Sequence, residues 1–220
     1  MKHARYGAFL RRRNACSAAL VILVTLLVLL PALPAGAAPR KLLVFGDSLS
    51  AGYNLPPDAA FPVQLQQALK AHGVDIPVIN AGVSGDTTSA GLARVDWALA
   101  DQPSHALVEL GSNDMLRGLP PEQAEANLDA IVAKLQQAGV KVMLIGMRAA
   151  PNLGADYGRR FEAIFPAVAK KRDVPLYPFF LDGVAADPKL NLDDGMHPNR
   201  QGVAVMVERI LPQILRFLQS

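Results

Sequence analysis

Short apolar runs alternate along this chain with longer segments whose apolar residues recur at helical spacing. Short continuous apolar runs are typical of buried strands, and apolar residues three or four positions apart form one helix face. The predicted strands are residues 41–45, 77–81, 106–110, 140–145 and 176–179. The predicted helices are residues 61–72, 89–99, 122–138, 158–171 and 199–218, the last kinked or shifted by Pro212. This alternation favours a mostly parallel sheet with helices on both faces.

The first 38 residues have the composition of a secretory signal peptide. Five basic residues and no acidic one precede the apolar stretch 15–30, and small residues follow up to Ala38. This order predicts cleavage near Ala38 and a periplasmic or secreted protein. An uncleaved anchor is the alternative, although the apolar stretch is shorter than the about 20 residues of a membrane span. Residues 39–220 are predicted to form one domain.

The charge of the chain depends on that amino-terminal segment. The sequence has 22 Lys and Arg against 19 Asp and Glu, a formal net charge of +3. Without the five basic residues of the first 38, the remaining 17 face 19 acidic residues, a net charge of −2. We therefore predict no nucleic-acid partner. The single cysteine, Cys16, also lies in that segment, so the mature domain has no disulfide and no thiolate chemistry.

Ser48 is the candidate nucleophile. It belongs to Gly46-Asp47-Ser48-Leu49, directly after the first predicted strand, where ligands bind in open parallel sheets. An Asp-Ser pair in this position is also typical of a turn or a helix N-cap. Ser84 is a weaker candidate, because Gly82-Val83-Ser84-Gly85-Asp86 lacks the final glycine of a nucleophile elbow.

Asp194 and His197 are the candidate acid and base for that nucleophile. They lie three residues apart, shortly before the last predicted helix. At that spacing the carboxylate can accept a hydrogen bond from one imidazole nitrogen and leave the other to face Ser48. A helix-start aspartate beside a solvated histidine is the ordinary alternative. A metal pair is disfavoured, because no further His or Cys accompanies the two residues.

Gly85 and Asn113 are the candidate donors for the oxyanion that ester or thioester hydrolysis produces. Each follows a predicted strand, and the backbone N–H of Ser48 would be a third donor. A turn glycine and an N-cap asparagine are the ordinary alternatives. The functional interpretation depends on the joint occurrence of these residues at successive strand ends, which meet at one edge of a parallel sheet.

These segments resemble the sequence blocks of the SGNH (GDSL) hydrolase family. The four blocks correspond to Gly46-Asp47-Ser48-Leu49, to Gly85, to Asn113, and to Asp194 with His197. Within the family, stretches 44–53 and 193–200 are similar to those of periplasmic acyl-CoA thioesterases, also described as proteases and lysophospholipases, and of related arylesterases.

The resemblance implies a flavodoxin-like three-layer α/β/α sandwich whose parallel sheet has the strand order 2-1-3-4-5. It implies Ser48 as nucleophile, His197 as base and Asp194 as the residue that orients the base. Ser48, Gly85 and Asn113 would form the oxyanion hole, and no metal or organic cofactor is implied. We expect a monomer that acts on a small ester, thioester or lysophospholipid substrate, without stable membrane insertion after signal cleavage.

Two features depart from the family pattern. Ser112 stands where a glycine is common in the third block, and its side chain is expected to narrow the pocket mouth. Segment 148–157 is longer than in the most similar family members, in which it helps to shape the acyl pocket. The preferred acyl chain length is therefore not carried over from them.

Three functions compete. The first is a secreted serine esterase with thioesterase and lysophospholipase activity, acting through an acyl-enzyme on Ser48. The second is a carbohydrate O-acetyl esterase of the same family, but 6% aromatic residues and a single tryptophan, Trp97, offer little for sugar stacking. The third is a non-catalytic binding module, and the intact set of Ser48, Asp194 and His197 argues against it.

Overall fold

The structure is a computed structural model that describes residues 40–219. The predicted signal peptide, residues 1–38, and its cleavage near Ala38 lie outside the described residues. No helix within residues 40–219 is long and apolar enough to cross a membrane.

A parallel sheet of five strands forms the centre of the described domain. The strands are β1 (Leu42–Gly46), β2 (Val78–Gly82), β3 (His105–Glu109), β4 (Lys141–Ile145) and β5 (Leu176–Tyr177). Their order is β2-β1-β3-β4-β5, and all neighbours are parallel. The predicted fold class and strand order are thus confirmed. The chain places β2 on one side of β1 and then crosses over to place β3 on the other side. The β1/β3 junction is therefore the switch point beside which ligands bind in such sheets.

The described helices fall close to the predicted segments, with two short additions. They are α1 (Ser48–Ala51), α2 (Phe61–Ala71), α3 (Thr88–Ala98), α4 (Ser112–Leu116), α5 (Pro121–Gln137), α6 (Ala155–Arg172) and α7 (Arg200–Gln219). Helices α1 and α4 have four and five residues, too few to show a helical period in the sequence. Helix α7 continues without interruption through Pro212.

The longer helices pack in two groups. Helix α2 packs against α7, whereas α3 packs against α5 and α5 against α6. Together they cover both sides of the sheet, which gives the predicted three layers. Strands β1 and β3 are buried at every position, as expected for central parallel strands covered on both faces.

Gly46 allows the end of β1 to approach β3 closely. A Cβ atom at this position would lie 2.8 Å from the carbonyl oxygen of Glu109, and closer still to the side chains of Ser50 and Glu109. Any larger residue would therefore displace the chain just before Ser48. The glycine sets the depth at which the following turn lies against the sheet.

Candidate active site

The carboxyl ends of the strands bring the predicted site residues to one cavity. Ser48 follows β1, Gly85 follows β2, and Asn113 follows β3. All three line a cavity of about 670 Å³, together with His197 from the loop before α7. The two shortest helices, α1 and α4, start at this edge, and they carry Ser48 and Asn113.

Ser48, His197 and Asp194 form a continuous hydrogen-bonded chain. The hydroxyl of Ser48 lies 2.9 Å from Nε2 of His197, and Nδ1 of His197 lies 2.7 Å from Oδ2 of Asp194. When Nδ1 carries the proton and donates it to Asp194, the Nε2 lone pair accepts the Ser48 O–H. This is the arrangement in which an imidazole removes the proton of an attacking serine.

Asp194 is held in its charged form by the turn that contains it. Its other carboxylate oxygen, Oδ1, accepts the backbone N–H groups of His197 and Met196, each at 2.9 Å. The His197 N–H, aided by that of Met196 and by the imidazole, lowers the pKa of Asp194 to about 2. The carboxylate is therefore ionised throughout the neutral range and can stabilise a protonated imidazole. The ring of Tyr53 packs on the imidazole, with 4.5 Å between ring centroids.

In the turn around Ser48, one residue of the Asp-Ser pair caps a helix and the other is placed as a nucleophile would be. Asp47 is the N-cap of α1, because its Oδ1 accepts the backbone N–H of Leu49 at 3.0 Å. Ser48 is the first residue of α1 and directs its hydroxyl to His197. The capping interpretation is thus correct for Asp47, while the side chain of Ser48 remains available for chemistry.

Glu109, at the end of β3, supports this turn from the buried side. Its Oε2 accepts the hydroxyl of Ser50 at 2.8 Å and the backbone N–H of Asp47 at 3.3 Å. Burial, and then the charge of Asp47, raise the pKa of Glu109 well above its usual value. Sequence analysis placed this residue only within a strand, because nothing in the local sequence shows that the neighbouring turn folds onto it.

The three residues predicted to donate to an oxyanion, Ser48, Gly85 and Asn113, all line the cavity. Gly85 has φ +87°, a conformation that glycine adopts without strain, and its carbonyl accepts Nη2 of Arg117 at 2.8 Å. Neither the Gly85 N–H nor the Ser48 N–H donates a hydrogen bond to another described residue. The side-chain amide of Asn113 donates to Oδ2 of Asp47 at 3.2 Å, which leaves its second hydrogen free. Free N–H groups beside a nucleophile are what an oxyanion requires.

The rest of the cavity wall is mostly apolar and comes from residues that sequence analysis did not single out. Met115, Met147 and Phe179 lie shortly after β3, β4 and β5. Only Met147 follows a predicted strand closely, whereas Phe179 was predicted to belong to the last strand, which in the structure ends at Tyr177. Arg148 lies over the Phe179 ring, with its guanidinium carbon 4.8 Å from the ring centroid. The cavity can therefore accept an apolar group.

The two departures from the family pattern both border the cavity. Ser112 lines it as a buried residue at the start of α4, and its hydroxyl oxygen is itself buried, so the narrowing of the mouth stays a prediction. Segment 148–157, after β4, contributes residues 149–152 to the wall and forms a 3-10 turn at Pro151–Leu153. Within residues 40–219, no three His, Cys, Asp or Glu side chains cluster as metal ligands would.

Comparison with known proteins identifies this combination of fold and site. The model of the GDSL-like Lipase/Acylhydrolase family matches residues 44–205, the stretch that carries every predicted site residue. The chain belongs to the GDSL-like lipase/acylhydrolase family. The resemblance inferred from the four sequence blocks is thereby confirmed, and the protein is a serine ester hydrolase of the SGNH type.

Relatives within the GDSL family are similar over nearly the whole described domain. An arylesterase of Vibrio mimicus is 40% identical over 185 residues, which cover 84% of this chain and 92% of that protein. Thioesterase 1/protease 1/lysophospholipase L1 of Escherichia coli (strain K12) is 41% identical over 179 residues, 81% of this chain and 85% of that protein. The crystal structure of TesA has a TM-score of 0.78 at 37% identity, covering 81% of this chain and 99% of that chain.

Proposed function

We propose that this GDSL hydrolase cleaves carboxylic esters and thioesters of acyl chains through an acyl-enzyme on Ser48. The observation that carries the proposal is the hydrogen-bonded chain from Ser48 through His197 to Asp194 at the mouth of a mostly apolar cavity. The names of two relatives, an arylesterase and a thioesterase with lysophospholipase activity, support the same substrate classes.

In the first half of the reaction, Oγ of Ser48 attacks the carbonyl carbon of the substrate while its proton moves to Nε2 of His197. The charge of Asp194 stabilises the imidazolium that forms. The oxyanion accepts hydrogen bonds from the Ser48 N–H, the Gly85 N–H and the Asn113 amide. Collapse of this intermediate breaks the bond to the alcohol or thiol, which takes the proton from His197, and leaves an ester on Ser48.

In the second half, a water molecule takes the place of the leaving group. Nε2 of His197 removes its proton as the water oxygen attacks the acyl carbon. The same donors hold the second oxyanion. Collapse breaks the bond to Oγ of Ser48, which recovers its proton from His197, and the carboxylic acid leaves.

A series of p-nitrophenyl esters from acetyl to palmitoyl tests the substrate class. We expect kcat/KM to rise beyond the acetyl ester, because each methylene buried in the cavity contributes about 0.8 kcal/mol. Acyl-CoA thioesters should also be hydrolysed, and the Ser48→Ala variant serves as the background control. Hydrolysis of the acetyl ester alone would favour the carbohydrate O-acetyl esterase. If the folded protein hydrolyses none of these esters, the non-catalytic binding module would be the remaining function.

The place of action is a second part of the proposal. We infer that residues 1–38 direct export and are removed, so that the enzyme acts in the periplasm or outside the cell on lipid or small ester substrates. The mass of the exported protein should correspond to a chain that begins near residue 39. A mass that retains the amino-terminal segment would indicate an anchor instead. The monomeric state stays a prediction, which sedimentation of the purified protein can check.

A further inference from the structure

Asp47 divides its carboxylate between two different parts of the site. The residue is fully buried, with 0% exposure. Oδ1 accepts the backbone N–H of Leu49 at 3.0 Å, within the turn that carries Ser48. Oδ2 accepts the side-chain amide of Asn113, which comes from the neighbouring strand end, at 3.2 Å. One side chain therefore connects the nucleophile turn with a proposed oxyanion donor.

Helix capping alone does not account for a carboxylate in this place. An N-cap needs one acceptor oxygen, and serine, threonine or asparagine would provide it without a charge. Burial raises the pKa of Asp47 to about 6, although the Leu49 N–H, the Ser112 hydroxyl and the Asn113 amide act in the opposite direction. The ionised form is thus costly here. What a carboxylate adds over a neutral cap is a second acceptor oxygen, and that oxygen binds Asn113.

The contact determines which way the Asn113 amide points. A primary amide carries two hydrogens on its nitrogen, and Asp47 accepts one of them. The second is then directed away from Asp47, into the cavity that Asn113 lines beside Ser48. Without an acceptor at Oδ2, the amide could turn its carbonyl oxygen toward the cavity. An oxygen in that place would repel a developing oxyanion.

We propose that Asp47 is a positioning residue that acts through Asn113, holding its amide so that the second N–H faces the oxyanion. The inference rests on the proposed function, since it assumes that Ser48 is acylated and that Asn113 is a donor. Two other titratable groups face Asp47. Glu109 lies beneath it on β3 and binds its backbone N–H, and His197 lies across the site, where an imidazolium would favour the ionised carboxylate.

A double-mutant cycle with Asp47→Asn and Asn113→Ala tests the inference on p-nitrophenyl butyrate. Asn113→Ala should lower kcat about 10²- to 10³-fold, the usual effect of losing one oxyanion donor. Asp47→Asn should lower kcat at least about tenfold with KM changed less than about threefold, since asparagine offers one acceptor oxygen to two donors. In the Asn113→Ala background, Asp47→Asn should change kcat less than about threefold.

Thermal stability separates positioning from a merely structural role. The pKa of Asp47 is about 6 in the folded protein against 3.8 without the fold, so the folded state binds the proton more tightly. Its charge therefore destabilises the protein increasingly as pH rises from about 4 to 6. Asp47→Asn removes that charge, so its Tm at pH 7 should equal or exceed that of the wild type. Any gain should shrink as pH falls toward 4.

The outcomes separate the inference from the proposed function. A wild-type kcat in Asp47→Asn, or a further tenfold loss in the Asn113→Ala background, would overturn the positioning role while Ser48 chemistry stands. A wild-type kcat in Asn113→Ala would instead remove the donor on which both proposals depend. If Asp47→Asn does not fold, Asp47→Ser replaces it, because serine keeps an oxygen for the Leu49 N–H but is too short to reach Asn113.

Discussion

Replacing Ser48 with alanine is expected to lower kcat for ester hydrolysis about 10⁶-fold, the size of loss seen when a triad nucleophile is removed. Among the described hydrogen bonds, the Ser48 hydroxyl is the only one that contacts Nε2 of His197. No other described hydroxyl is therefore placed to attack the substrate in place of Ser48. The measurement is single-turnover and steady-state hydrolysis of a p-nitrophenyl ester. Mass spectrometry after treatment with a p-nitrophenyl phosphonate reports whether the covalent adduct forms.

Ser84→Ala is the matched control for this prediction. Ser84 lines the same cavity, yet it belongs to the turn that presents Gly85 and has no described hydrogen bond to His197. The Ser84→Ala variant should form the phosphonate adduct, whereas Ser48→Ala should not. An adduct on folded Ser48→Ala, or its loss in Ser84→Ala alone, would show that the nucleophile has been assigned wrongly.

Replacing Asp194 with asparagine is expected to lower kcat about 10⁴-fold, as the equivalent change does in a Ser-His-Asp triad. The carboxylate accepts Nδ1–H of His197 at 2.7 Å and so keeps the Nε2 lone pair toward Ser48. An asparagine amide can donate to Nδ1 instead, which favours the tautomer with a proton on Nε2. That tautomer cannot accept the Ser48 proton, and the imidazolium also loses its counter-charge.

The adjacent carboxylate provides the control for this second prediction. Asp193→Asn removes the same charge one residue earlier, from an exposed side chain with no described hydrogen bond to His197. Its kcat should stay within about threefold of the wild type, because exposed charges interact weakly through water. Equal losses in the two variants would mean that net charge, rather than the hydrogen bond to His197, accounts for the effect.

Much of the fold followed from local patterns. Helix and strand periods are properties of neighbouring residues, so α2, α3 and α5 were predicted within a few residues of their bounds. Helices α1 and α4 were missed because four or five residues complete barely one turn. They form here because each starts at a strand end held against the sheet, which is a tertiary constraint.

In the site, too, some features were predicted from the sequence and others depend on tertiary contacts. Ser48, Gly85, Asn113, Asp194 and His197 were identified from their order along the chain and from the family resemblance, and the structure brings all five residues to one edge of the sheet. The wall formed by Met147 and Phe179 was not predicted, because an apolar residue in or near a strand serves equally well in a core. The bond between Asp47 and Asn113 was not predicted either.

By itself, the sequence determined the alternation of strands and helices, the family, and the residue types available for ester chemistry. These follow from local spacing and composition, which the chain carries in any conformation. Only the tertiary structure decided that the Ser48 hydroxyl meets an imidazole 149 positions away, and that Asp47 spans two strand ends to reach Asn113. Such contacts depend on strand order and on the closeness that Gly46 permits at the β1/β3 junction, and neither quantity is a property of neighbouring residues.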